Sequence, residues 1–310
     1  MDMDVNIFPD IADKLGLPSP AFIEKDYFAV QLLKLATQVK LDDFRICFAG
    51  GTCLSKAHSK NLCRMSEDLD LKFMIGSSSE GQSKKKRDRK LLDTEIQKLI
   101  NDSNVFTLGD KISSNQGASR CYEIEYLKKY THASLRPELK LEFIEMKQYL
   151  LAPLSCSVGS IYARETGQDD EIKNIHCDAI EVILVEKLIA LLRRTALTVR
   201  NHSTDDDETL IRHIYDLYFI CEECHYDKNQ VESIIIEVID NDRNKFGNKH
   251  PEFNKDPYSE LNFGLQNLAE DKLYRNRYEN FLAPLVYHDN PPTWEQGLDN
   301  VKNLLLKHVK

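Results

Sequence analysis

The chain of 310 residues has little of what marks several protein classes. It holds only 12 Gly and 10 Pro, which excludes collagen and low-complexity disorder. No apolar run approaches the ~18 residues that span a bilayer. The best candidate, Ile180 to Leu192, is interrupted by Glu181, Glu186 and Lys187. The N-terminus, Met1-Asp2-Met3-Asp4-Val5, lacks a basic-then-apolar signal sequence. A cytoplasmic protein with no membrane association is expected, and its eight cysteines are then expected as reduced thiols. Cys221-Glu222-Glu223-Cys224-His225 has no second CxxC or HxxxH to complete a zinc site, and haem attachment would require export. Packing is the simpler reading, because Ile214, Leu217, Tyr218 and Cys221 follow the spacing of a buried helical stripe.

An excess of positive charge is also missing. Lys and Arg number 41 against 50 Asp and Glu, a formal net charge of −9, and phosphate-rich partners need concentrated cations. The deficit is uneven, however. Residues 1–150 carry 23 basic and 22 acidic side chains, and the remainder carries 18 and 28. A near-neutral half is therefore joined to an acidic one.

Apolar patterning predicts a helix over 21–39, ended by Asp42-Asp43, and a strand over 45–49. Gly50-Gly51 follows, then a helix to about Lys60 with Thr52 as its cap. Strict alternation over 68–73 predicts a strand, followed by a polar loop from Gly76 to Ser83 and a helix over 84–100. Strands are expected over 122–126 and 139–144, and 156–178 reads as loop with a short strand near Ile175-His176-Cys177. Helices are then expected over 180–199, 208–224 and 231–243, a loop from Arg243 to Leu261, and further helices including 295–308. The mixture gives an α+β domain over 1–155, followed by a mainly helical domain over 156–310.

Two stretches carry chemistry. In Phe48-Ala49-Gly50-Gly51-Thr52-Cys53-Leu54-Ser55-Lys56, two glycines between strand and helix let backbone approach a ligand closely. Thr52, Ser55 and Lys56 add hydroxyl and ammonium donors for a phosphate chain. In Arg64-Met65-Ser66-Glu67-Asp68-Leu69-Asp70-Leu71, Asp68 and Asp70 are two apart on a strand, so both carboxylates emerge on one face. Such a pair repels itself unless a cation sits between, and oxygen donors plus substrate phosphates suit Mg²⁺. Taken singly, a tight turn and a solvated acidic strand explain each stretch as well.

Together, the glycine turn and the Asp-x-Asp strand resemble the layout of the polymerase-β-like nucleotidyltransferases, a mixed sheet with flanking helices. Gly-Gly-Thr-x-Leu-Ser-Lys with Arg-x-Ser-Glu-Asp-x-Asp-Leu narrows the resemblance to the AbiEii/AbiGii family of nucleotidyltransferase toxins, which includes the MenT toxins. Glu186-Lys187-Leu188-Ile189-Ala190-Leu191-Leu192-Arg193 and Arg212-His213-Ile214-Tyr215-Asp216-Leu217 are similar to two later helices of that family, in the same order. The resemblance covers about residues 20–225. His213 departs from it, since the family usually has Asp there.

The resemblance implies a toxin-like enzyme that uses an NTP, with Mg²⁺ or Mn²⁺, to modify an acceptor. For some relatives the acceptor is the 3′ end of tRNA, and a cognate antitoxin restrains them. Asp68, Asp70, Lys187 and Asp216 match the catalytic positions, with Gly50, Gly51, Thr52, Ser55, Lys56 and Ser66 as nucleotide-binding residues. The fold commonly carries a third metal-binding carboxylate on a neighbouring strand. Alternation offers Glu142, with Glu125 as its competitor. Asp216 is alternatively a partner for Arg212 one turn earlier, and the basic run Lys84 to Lys90 is either a solvated helix face or a patch that tracks RNA. Two other readings remain: a nucleotidyltransferase that modifies a protein or small molecule, and an inactive nucleotide-binding module.

Overall fold

The computed structural model describes residues 4–41, 44–59, 61–75, 82–114, 117–201 and 206–309. The loop expected over Gly76 to Ser83 falls mainly outside the described residues, as do Asp42-Asp43 and Lys60. The chain divides into two compact units, Met1–Asp178 and Ala179–Lys310.

The first unit opens with α1 (Phe8–Lys14) and α2 (Ala21–Ala36) and continues through β1 (Phe44–Ala49) into α3 (Gly50–Cys53), whose helical path runs on as a widened turn over Leu54–His58. Then come β2 (Asp68–Ile75), α4 (Gln82–Asp102), β3 (Phe106–Ser114), β4 (Ser119–Tyr126), β5 (Leu139–Glu145), β6 (Leu154–Val158), α5 (Ile161–Glu165) and β7 (Ile172–Cys177). The seven strands form one mixed sheet in the order β3-β4-β5-β2-β1-β7-β6. β2 runs antiparallel to β1 but parallel to β5.

The expected α+β class is what the structure has. Two differences concern strands. β3 was not expected: its residues after Phe106 are mostly exposed, so an edge strand with Gly109 inside shows no apolar alternation. The stretch over 156–178, read as loop with a short strand near Ile175-His176-Cys177, holds that strand as β7, together with α5 and most of β6. Because β6 and β7 join the sheet, the first unit extends to Asp178 rather than ending near residue 155.

Alternation sorts the sheet into two faces. Leu69, Leu71, Phe73, Tyr122, Tyr126, Leu141 and Phe143 are buried on one. Phe28 of α2 stacks on Tyr126, and Asp93 of α4 pairs with Arg120 beside Tyr122. Both helices therefore cover this face. Asp68, Asp70, Lys72, Cys121, Lys140 and Glu142 emerge on the other.

The second unit contains α6 (Ile180–Val199), α7 (Arg212–Glu223), α8 (Lys228–Phe246), α9 (Pro251–Lys255), α10 (Pro257–Glu270), α11 (Lys272–Leu285) and α12 (Trp294–His308). The loop expected from Arg243 to Leu261 is instead mostly helical. Pro251 and Pro257 stand at first helical positions, where a missing N–H costs nothing and a fixed φ favours the helix. In α7, Ile214 and Leu217 are fully buried while Cys221 is half-buried, and all eight cysteines are free thiols. α10 approaches α6 so closely that a Cβ at Gly264 would lie 2.1 Å from the carbonyl oxygen of Leu192. Gly264→Ala should therefore destabilise the protein by roughly 1–3 kcal/mol, the usual cost of overpacking, read as a lower urea midpoint with an unchanged m value.

Candidate active site

β1 delivers the chain to Gly50, where φ is +73°, a left-handed conformation that favours glycine. The β1–β2 register sets Ala49 opposite Asp70, so the turn lies against that carboxylate. A Cβ on Gly50 would fall 2.0 Å from Asp70 Oδ2. Only a residue without a side chain allows this approach. Ala49, not Thr52, is the cap of the helix that follows. Thr52 lies inside the first turn, where its Oγ1 sits 2.7 Å from Ser66 Oγ and donates to the main-chain carbonyl of Asp68. The hydroxyl thus ties the glycine turn to the start of β2.

The other expected phosphate donors have local partners. Ser55 Oγ donates to the carbonyl of Thr52 at 3.1 Å. Lys56 pairs with Asp26 of α2, which also accepts the main-chain N–H of Ile161 at 2.6 Å. The helix is thereby bonded to the scaffold of the first unit.

β5 brings one of the two candidate carboxylates next to β2. Its parallel register sets Glu142 beside Asp70 and Lys140 beside Asp68. Cys121 of β4 flanks Glu142 on the far side. Glu125 lies toward the exposed end of β4, paired across to Thr107 of the edge strand. Burial, followed by the negative charge of Asp68, holds the Glu142 carboxyl above its ordinary value. Burial and the charge of Glu142 push the Cys121 thiol up to about 11, so it is protonated at neutral pH.

Such crowding of acids calls for a cation, and the chain supplies one. Arg136, on the segment between β4 and β5, pairs with Asp68 and, through Nε at 3.1 Å, with Glu67. Glu67 is held in turn by Lys25 of α2 at 2.9 Å. Among the described residues, no three His, Cys, Asp or Glu side chains stand close enough to grip an ion as they are. The donor chemistry nevertheless fits a hard divalent ion. Asp68, Asp70 and Glu142 offer only oxygen ligands.

Sequence patterns missed Arg136 and Lys25. Arg136 belongs to no spaced motif, and Lys25 reads as an ordinary cation in a helix's first turns. Its near-complete burial, 1% exposed, emerges only from the fold. The basic run at the start of α4 lies across the sheet from the carboxylates. Arg89 there pairs with Glu145 at 2.6 Å, on the face that α2 and α4 cover.

In the second unit, Lys187 of α6 and Asp216 of α7 form an ion pair of 2.7 Å, with side chains 8% and 0% exposed. Arg212 Nε donates to the carbonyl of Thr209 at 3.1 Å. Arg194 pairs with Asp207 at 2.5 Å. His213 lies 3.2 Å through Nδ1 from the carbonyl of Lys187. Burial and then the Lys187 charge hold its pKa well below the ordinary value, so the ring is neutral. Asp216 is the acid that meets Lys187.

A family model described as "Nucleotidyl transferase AbiEii toxin, Type IV TA system" matches residues 34–300. Among solved structures, MenT4, a nucleotidyltransferase toxin from Mycobacterium tuberculosis H37Rv, aligns with a TM-score of 0.43 and 17% identity, covering 91% of this chain and 99% of that one. No curated protein sequence matches the chain.

The Lys187–Asp216 geometry has a stability signature of its own. Lys187→Met removes the ammonium that faces the fully buried Asp216 carboxylate, which should cost about 3–5 kcal/mol. The double variant Lys187→Met/Asp216→Leu should recover most of that loss. Urea unfolding of the two variants checks both values.

Proposed function

The chain belongs to the AbiEii family of nucleotidyltransferase toxins of type IV toxin–antitoxin systems, and we propose that it transfers nucleotides from an NTP to an RNA acceptor with Mg²⁺, the 3′ end of tRNA being the favoured target. The observation that carries this reading is the convergence of Asp68, Asp70 and Glu142 on one sheet face, with Asp70 against the Gly50 turn. The acceptor hydroxyl attacks the α-phosphorus in line, a new P–O bond forms, and pyrophosphate leaves.

Asp68, Asp70 and Glu142 are the residues that would hold Mg²⁺, or Mn²⁺ in its place. Such an ion supplies charge neutralisation and orientation of the attacking and leaving oxygens. The chain's own contribution is mainly positioning and electrostatics. Gly50 and Gly51 admit the triphosphate to the backbone. Thr52 and Ser66 lock the turn against β2, so that the carboxylates and the phosphate-binding backbone keep one geometry. Lys187, oriented by Asp216, is assigned the neutralisation of charge developing on the phosphates. Ser55 and Lys56 act from the helix behind the turn. A cognate antitoxin is the expected protein partner. The absence of any helix long and apolar enough to cross a membrane among the described residues fits a cytoplasmic setting.

Transfer of label from [α-³²P]NTP into separated RNA, protein and metabolite pools tests this reading. Label is expected in RNA, and removal of divalent metal by chelation abolishes it. Asp70→Asn should eliminate transfer while circular dichroism stays unchanged. Lys187→Ala should reduce it by roughly 10²–10³-fold, the usual effect of losing one charge-stabilising donor. Label in protein or metabolites alone overturns the RNA acceptor, and undiminished transfer by Asp70→Asn overturns the site. Purified protein with no turnover in any pool would establish the inactive nucleotide-binding module instead.

A further inference from the structure

The cation beside the carboxylates has a built setting. The main-chain N–H of Arg136 donates to Glu67 Oε1 at 3.1 Å, and its Nε donates to Glu67 Oε2 at 3.1 Å. One carboxylate thus fixes both the backbone and the guanidinium of the same residue. Glu67 is braced by Lys25, 2.9 Å away and buried, whose ammonium also donates to the carbonyl of Arg136. With Nε anchored, Nη2 reaches Asp68. The side chains of Arg136 and Asp68 remain 34% and 26% exposed, so a dissolved ligand can meet both. Burying Lys25 and Glu67 carries a desolvation cost, and what that cost secures is a guanidinium fixed at the rim of the acidic face.

We propose that Arg136 is the internal counter-ion of Asp68 in the unloaded enzyme and moves to the phosphates of the nucleotide when a divalent ion takes Asp68. This rests on the metal-dependent reading above. Guanidinium and metal ion compete for the same carboxylate, because each needs its negative charge and its lone pairs. Anchored through Nε to Glu67, the guanidinium exchanges Asp68 for a phosphate oxygen by a small rotation. Its planar fork suits phosphate as well as carboxylate. Arg136 is therefore a positioning residue toward Asp68 and a binding residue toward the nucleotide. The two roles predict opposite effects on the two ligands, whereas a residue that only braced the fold would weaken both when lost.

The test titrates Mn²⁺ into the nucleotide-free full-length protein, followed by electron paramagnetic resonance. Calorimetry then measures binding of an α,β-methylene NTP analogue at saturating Mn²⁺. Wild type, Arg136→Ala, Arg136→Lys and Asp70→Asn are compared. Arg136→Ala should bind Mn²⁺ about tenfold more tightly and the analogue about 10–100-fold more weakly, the range for one charge-assisted hydrogen bond. Arg136→Lys keeps the charge but loses the fork, and should fall between wild type and Arg136→Ala on both axes. It serves as the decisive variant if Arg136→Ala does not fold. Mn²⁺ binding that is unchanged or weaker in the folded Arg136 variants overturns the proposal, as does unchanged affinity for the analogue. If Asp70→Asn loses Mn²⁺ while the Arg136 variants match wild type, only the role of Arg136 falls. If wild type binds no Mn²⁺, the metal-dependent reading falls with it.

Discussion

Like charge at close quarters is the constraint around which the first unit is arranged. β2 and β5 bring Asp68, Asp70 and Glu142 to one face through their parallel register, and Glu67 precedes them on the chain. Carboxylates so placed raise one another's proton affinity, and burial together with the Asp68 charge holds the Glu142 carboxyl above its ordinary value. The protein answers with fixed cations: Lys25 on Glu67, and Arg136 shared between Glu67 and Asp68. α2 supplies Lys25 from the opposite side of the sheet, so the helix layer and the acidic face are electrostatically linked. The structure keeps the acids together at the expense of a buried lysine.

The second unit solves a related problem with a single pair. Lys187 and Asp216 are nearly out of solvent, where attraction between charges is strong but their removal from water is expensive. His213 adds a neutral ring whose Nδ1 contacts the carbonyl of Lys187. The ring contributes polarity without a further charge.

Much of the site was legible in the sequence because short-range geometry determines it. Period-two alternation places Asp68 and Asp70 on one face whatever the surrounding fold, and a glycine pair between strand and helix announces a backbone approach. Tertiary pairing was not legible. The choice of Glu142 over Glu125 depends on which strand lies parallel to β2, and alternation is the same in both strands. Lys56 looks like a phosphate donor until α2 is seen to supply Asp26. The charge run in α4 stands close to Asp70 in sequence, yet the sheet separates them. Among the elements, β3 escaped because an exposed edge has no buried face to imprint a pattern. α9 and α10 escaped because a proline reads as a breaker even where it begins a helix.

The parallel pairing of β2 with β5 also governs when the acidic face can first assemble. Asp70 and Glu142 become neighbours only after α4, β3 and β4 have been made and the chain has returned across the sheet. Contacts of such long sequence separation form slowly, because loop closure precedes any stabilisation from pairing. At ~5–20 residues per second of synthesis, several seconds separate the appearance of the two acids on the ribosome. A chain in that interval carries the glycine turn and the Asp-x-Asp strand but not their third carboxylate. A chain that ends before β5 therefore cannot assemble this acidic face, by topology alone.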